Sequence, residues 1–143
     1  MCSAHDTKGH TTMSQQNAEA LTAAFAAADA GDPGPLVALY SDDLTWAGFT
    51  LEGDLRLYTK GEFLEAFGVL AKLDASANEV VSVEVVGDEL VTANIRAYRK
   101  LGDEELDITM VMTHRFVDGK VVRGTDMVPS SFEAFWSRIG ITV

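Results

Sequence analysis

The sequence predicts an α+β fold: helices packed on one face of a curved antiparallel sheet. Three observations carry this. The first half shows apolar residues at helical spacing, the second half is β-branched and cut by Gly-Asp-type turns, and one short helix closes the chain. A length of 143 residues suits one domain. We read residues 1–16 as a flexible polar tail and 17–143 as the single domain.

Asn17 to about Ala30 is the first expected helix, with Leu21, Phe25 and Ala28 on one face. Gly31 ends it. Asp32-Pro33 then resembles an N-cap followed by a first-turn proline, opening a short helix that carries Leu36, Leu39 and Tyr40. Ser41-Asp42-Asp43 reads as a turn into a short strand, Leu44 to Phe49, which contains Trp46. Residues 50–58 read as loop. Thr59 and Glu62 have capping-box spacing and open a helix with Phe63, Phe67 and Leu70 on one stripe.

The β-rich half predicts a four-strand meander. Its strands are Val80 to Val86, Leu90 to Arg99, Leu106 to Phe116 and Lys120 to Val128. The turns are Gly87-Asp88, Leu101-Gly102-Asp103 and Asp118-Gly119, the last a strong two-residue hairpin signal. Ser130 and Glu133 repeat the capping-box spacing before a last helix, Ser131 to Arg138, stopped by Gly140.

Composition narrows the function classes. Hydrophobic residues are 47% of the chain and charged residues 23%, which is globular rather than disordered. Lys plus Arg number 11 against 22 Asp plus Glu, a net charge of -11. Such a surface repels phosphate backbones, so neither nucleic acid nor an anionic membrane is an expected partner. No apolar run approaches the roughly 20 residues of a membrane span. The single cysteine, Cys2, excludes an intramolecular disulfide and fits a cytoplasmic location. Cys2, His5, Asp6 and His10 are metal-ligand types, but on an unsupported tail they lack the neighbours that orient ligands. We expect no metal and no other cofactor.

The Ala30-Gly31-Asp32 stop, the phrase LVALYSDDLTW at 36–46 and the phrase RFVDGKVVRGTDMV at 115–128 together resemble the nuclear transport factor 2-like superfamily. That group includes SnoaL-type polyketide cyclases, ketosteroid isomerases, limonene-type epoxide hydrolases, scytalone-type dehydratases and non-catalytic binding modules. The resemblance implies a cystatin-like α+β barrel around a conical cavity for a small hydrophobic molecule, and a homodimer formed through the sheet. The ketosteroid isomerase residues fall near Ala24, Gly48 and Val111 or Met112, which cannot perform their roles. The limonene-type aspartate of the last strand falls on Asp126, and its Arg-x-Asp pair on Asn94 and Arg96. The SnoaL-type acid falls near Pro129.

Strand alternation leaves two orientations for Leu90 to Tyr98. By alternation alone, Val91, Ala93, Ile95 and Ala97 form the core face, and Thr92, Asn94, Arg96 and Tyr98 the solvated one. The resemblance implies the inverse, with the polar set lining the pocket and the aliphatic set packing on a partner subunit. We adopt the inverse here. It gathers Asn94, Arg96, Tyr98, His114 and Asp126 around a cavity lined by Trp46, Ile108, Met110 and Met112. Asp126 would then be base or orienting group, His114 proton donor or acceptor, and Arg96 the charge that sets Asp126 or steadies an oxyanion. Asn94, Tyr98, Trp46 and the apolar set would hold the ligand. The expected activity is cofactor-free isomerisation, cyclisation, dehydration or epoxide opening. The alternative is a hydrophobic-ligand-binding or dimerisation module without catalysis, in which Arg96 and His114 are structural.

Overall fold

The computed structural model describes residues 13–141. The four metal-ligand candidates of the tail lie outside them. Helix α1 spans Met13–Asp29 and α2 Gly34–Leu39; strands β1 and β2 span Tyr40–Phe49 and Leu55–Tyr58. Helix α3, Lys60–Gly68, runs into a 3-10 turn, Val69–Lys72. Strands β3 to β6 follow at Ala75–Val86, Leu90–Leu101, Glu104–Val117 and Lys120–Met127, and α4 closes the fold at Ser131–Ile139.

The sheet has six strands in the order β2-β1-β6-β5-β4-β3. The expected meander is present, since β3 to β6 pair antiparallel in sequence. Strand β1 joins it in parallel alongside β6, and β2 forms the far edge. This junction brings Trp46 opposite Gly124 and Ala47 opposite Thr125. Two segments expected as turn and loop are therefore partly strand: Ser41 to Asp43 belong to β1, and Leu55 to Tyr58 form β2.

Local signals explain most boundaries. At α3, Thr59 Oγ1 accepts from the Glu62 amide and the Glu62 carboxylate accepts from the Thr59 amide, so the capping box forms. Asp32 Oδ1 accepts from the Gly34 amide at 3.1 Å and caps the entry to α2. Asp118 and Gly119 both take positive φ, 51° and 79°, as the tight β5–β6 turn requires. The second expected capping box does not form. Ser130 has helical backbone angles and no side-chain cap bond, while the Glu133 carboxylate lies against Gly53 instead.

Helix α1 buries Ser14, Asn17, Ala18, Leu21, Ala24 and Phe25, a continuous stripe at helical spacing. Its apolar members share one core with Val91, Ala93, Ile95 and Ala97 of β4, all four fully buried. This corrects the expected orientation of β4: the aliphatic stripe faces the chain's own helices, and the polar stripe faces outward. Sequence alternation fits either choice; burying the apolar stripe under α1 decides it. The four aliphatic residues are consequently not available to a partner subunit.

Candidate functional site

Between the sheet, α3 and α4 lies a cavity of about 110 Å³. Its wall is mainly apolar and includes Trp46, Tyr58, Phe63, Met110, Met112 and Trp136. Three charged side chains interrupt it: Asp126, Arg56 and Arg99. A largely apolar hollow with few polar groups is the usual architecture of a small-molecule site.

Asp126 is built in by two glycines. A side chain at Gly124 would overlap the six-membered ring of Trp46, so the bare backbone lets the indole lie across β6. A Cβ at Gly48 would stand 3.0 Å from Asp126 Oδ2, so Gly48 leaves room for the carboxylate. Trp46 Nε1 then donates to Asp126 Oδ2 at 2.9 Å. Burial pushes the Asp126 pKa above the usual carboxylate range; the indole bond and the Phe49 backbone pull partly against that. The carboxylate is thus a stronger base than one in water.

Tyr58 pairs with Trp46 across the β1–β2 register and is 8% exposed. Its pKa is raised, first by burial and further by the Asp126 charge, against an opposing effect of Arg56. The hydroxyl stays protonated and able to donate. Arg56 covers the Tyr58 ring at 4.8 Å and donates to Glu62 at 2.7 Å, closing that side of the wall. Nothing in the sequence marked Arg56 or Tyr58, because the segment carrying them reads as loop until β2 pairs with β1.

His114 is not part of the cavity wall. It is fully buried behind Trp46, with ring centroids 5.3 Å apart, and its Nε2 lies 3.3 Å from the Tyr40 hydroxyl. Burial lowers its pKa to about 4, with the Val91 backbone opposing, so the ring is neutral near pH 7. Tyr40, equally buried, is pushed upward by the same desolvation.

The expected cluster around Arg96 does not assemble. Arg96 lies on the outer face, where Nε and Nη2 donate to the two Asp107 oxygens at 2.9 and 2.6 Å. Asn94 donates to Ser82 Oγ at 3.0 Å, and Tyr98 donates to the Glu105 carboxylate, on that same face. These are cross-strand pairs of a solvated sheet surface. Ile108 sits partly buried between the two core clusters rather than in the wall. Trp46, Met110, Met112 and Asp126 do line the cavity together.

The inward cation is Arg99, one step beyond the aliphatic stripe on the same face of β4, and only 4% exposed. Continuing the alternation past Ala97 reaches it, and that was the available signal. Its guanidinium donates to the carbonyls of Ala77 and Tyr98 at 2.9 Å and to Asn78 Oδ1 at 2.8 Å. Burial lowers its pKa to about 10, opposed by Asp29, so it remains charged at neutral pH. Asp29 itself accepts from the Asn78 amide, tying the end of α1 to the same corner.

No protein-family profile and no curated protein matches the chain. Solved structures do match. Bal32a, from a soil-derived mobile gene cassette, aligns at TM-score 0.76 and 21% identity over 87% of this chain and 99% of its own. An NTF2-like protein of Burkholderia thailandensis aligns at 0.69 and 15%, over 92% and 99%. TerC, co-crystallized with polyporic acid, aligns at 0.69 and 18%, over 85% and 98%. Among the described residues, no helix is long and apolar enough to cross a membrane, and no cluster of three metal-ligand side chains occurs. Helices over a curved six-strand sheet, a pocket between them and these alignments give one conclusion: the chain has the nuclear transport factor 2-like fold.

Proposed function

We propose that the protein is a cofactor-free acid–base catalyst acting on a small hydrophobic carbonyl compound in the Asp126 cavity. The observation that carries this is a carboxylate of raised pKa, oriented by Trp46 inside an apolar hollow. A base poised nearer neutrality removes protons from carbon more effectively than a solvated carboxylate. The Asp126 carboxylate would take a proton from the carbon beside the carbonyl, leaving an enolate, and return it at the same or a conjugated carbon. Tyr58, held protonated, would hydrogen-bond the oxygen on which negative charge develops. Isomerisation and cyclisation both begin with this step. One protein of similar fold, TerC, was co-crystallized with a small organic molecule, polyporic acid.

The test is exchange of the α-hydrogens of cyclohexenone for deuterium, followed by proton NMR with and without protein. Catalysed exchange that falls at least 100-fold in Asp126→Asn, with an unchanged circular dichroism spectrum, supports the proposal. Saturable binding with no exchange in either form would instead indicate a ligand-binding module. Should the protein form a homodimer through its sheet, the outer face of β4 to β6 is the surface for it, because the inner stripe is buried within one chain. A solution mass at or near 15.4 kDa at high concentration would reject that assembly.

A further inference from the structure

We propose that Arg56 is a positioning residue for the Tyr58 hydroxyl: its guanidinium, braced by the capping-box carboxylate of Glu62, faces the phenol ring and makes that hydroxyl a stronger donor to the enolate oxygen. The role rests on Tyr58 serving as the oxyanion donor, but not on which group is the base. Arg56 and Tyr58 stand two residues apart on β2, opposite Gly48 and Trp46 of β1, so both take one face of the strand. Both side chains belong to the cavity wall. The Tyr58 hydroxyl has no hydrogen-bond partner among the described residues. Its oxygen is not among the sealed polar atoms, so a ligand oxygen can accept from it.

A local hydrogen-bond frame fixes Arg56. Glu62 uses its two oxygens separately. Oε1 accepts from the Thr59 amide at 3.0 Å as half of the α3 capping box, and Oε2 accepts from Arg56 Nη2 at 2.7 Å. The carboxylate is thereby tied to backbone at the start of α3, and it holds the guanidinium 4.8 Å from the centre of the Tyr58 ring. A cation over an aromatic face is attracted by the ring electrons and favours negative charge on the phenol oxygen. A more acidic hydroxyl bonds more strongly to an oxygen on which charge develops. Three carboxylates work the other way: Asp126 on β6, Glu52 in the β1–β2 turn and Glu62 itself all oppose ionisation of Tyr58, as does burial. Arg56 is the counterweight to them. The Arg56 and Glu62 side chains are 42% and 45% exposed, so their ion pair adds little to stability and its removal leaves the fold intact.

Fluorine NMR of protein carrying 3-fluorotyrosine, which titrates at lower pH than tyrosine, reads the phenol directly. The Tyr58 signal is the one lost in Tyr58→Phe. In Arg56→Met the Tyr58 midpoint should rise by about half a pH unit, the equivalent of a weak cation–π contact. Arg56→Lys keeps the charge and should fall between wild type and Arg56→Met. Deuterium exchange of cyclohexenone should lose about three- to tenfold in kcat in Arg56→Met, with KM changed by less than about twofold, because the contact acts in the transition state. Arg56→Lys should recover part of that loss. In the Tyr58→Phe background Arg56→Met should cost nothing further, since the group it acts through is gone. A Tyr58 midpoint that stays or moves down would overturn the role. An equal fall in rate with Tyr58 already removed would overturn it too, by putting Arg56 on the substrate itself. Wild-type protein without exchange would reject the proposed catalysis instead, and the fluorine titration would still decide whether Arg56 acts on Tyr58.

Discussion

The Trp46 indole donates to the Asp126 carboxylate at 2.9 Å across the one parallel junction of the described sheet. Both residues are held there by glycines, Gly124 under the indole and Gly48 beside the carboxylate. The Phe49 backbone also hydrogen-bonds this carboxylate, so Trp46 and Phe49 together fix its orientation.

Trp46→Phe should move the acid limb of the pH–rate profile upward. The indole bond favours the ionised carboxylate, so its loss raises the pKa of Asp126 further. The activity of a carboxylate base appears as pH rises through that pKa. Deuterium exchange measured across pH checks the direction; a downward shift would remove Trp46 from any tuning role.

Gly124→Ala should destabilise the fold by about 1–3 kcal/mol, the usual cost of overpacking. The added methyl displaces the Trp46 ring and with it the bond to Asp126. A lower Tm together with altered tryptophan fluorescence is the expected result. Unchanged values would mean the indole does not lie on β6 as described.

His114 should make the fold acid-sensitive. Its folded pKa is lowered to about 4 from an ordinary 6.5, so the unfolded chain binds the proton more readily. The stability it contributes is present above 6.5 and is lost as pH falls toward 4. The shift corresponds to about 3 kcal/mol at most. Urea titrations of wild type and His114→Phe, compared between pH 7 and pH 4.5, should show the variant with the flatter dependence.

Arg96→Ala should leave exchange activity unchanged and Tm nearly so. Arg96 and Asp107 are both about half exposed on the outer face, and such pairs are screened by water. A large loss of activity would place Arg96 at the site after all.

Much of the chain's architecture is legible in its residues. The Thr59–Glu62 box, the Asp118-Gly119 hairpin, the α1 stripe and the alternation of β4 and β5 act between neighbours in sequence, and local chemistry suffices to read them. Trp46, Asp126, Met110 and Met112 could be named as pocket residues from parity and resemblance. Other features depend on residues distant in the chain. Whether Arg96 or Arg99 points inward is set by which face of β4 α1 covers, and a one-residue change of parity reverses every side chain. Tyr58 reaches the site only because β2 pairs with β1, and His114 leaves it because Trp46 packs across it. Alternation thus determined that β4 has a polar and an apolar face, while tertiary packing, by removing the apolar one from water, decided which of them meets the cavity.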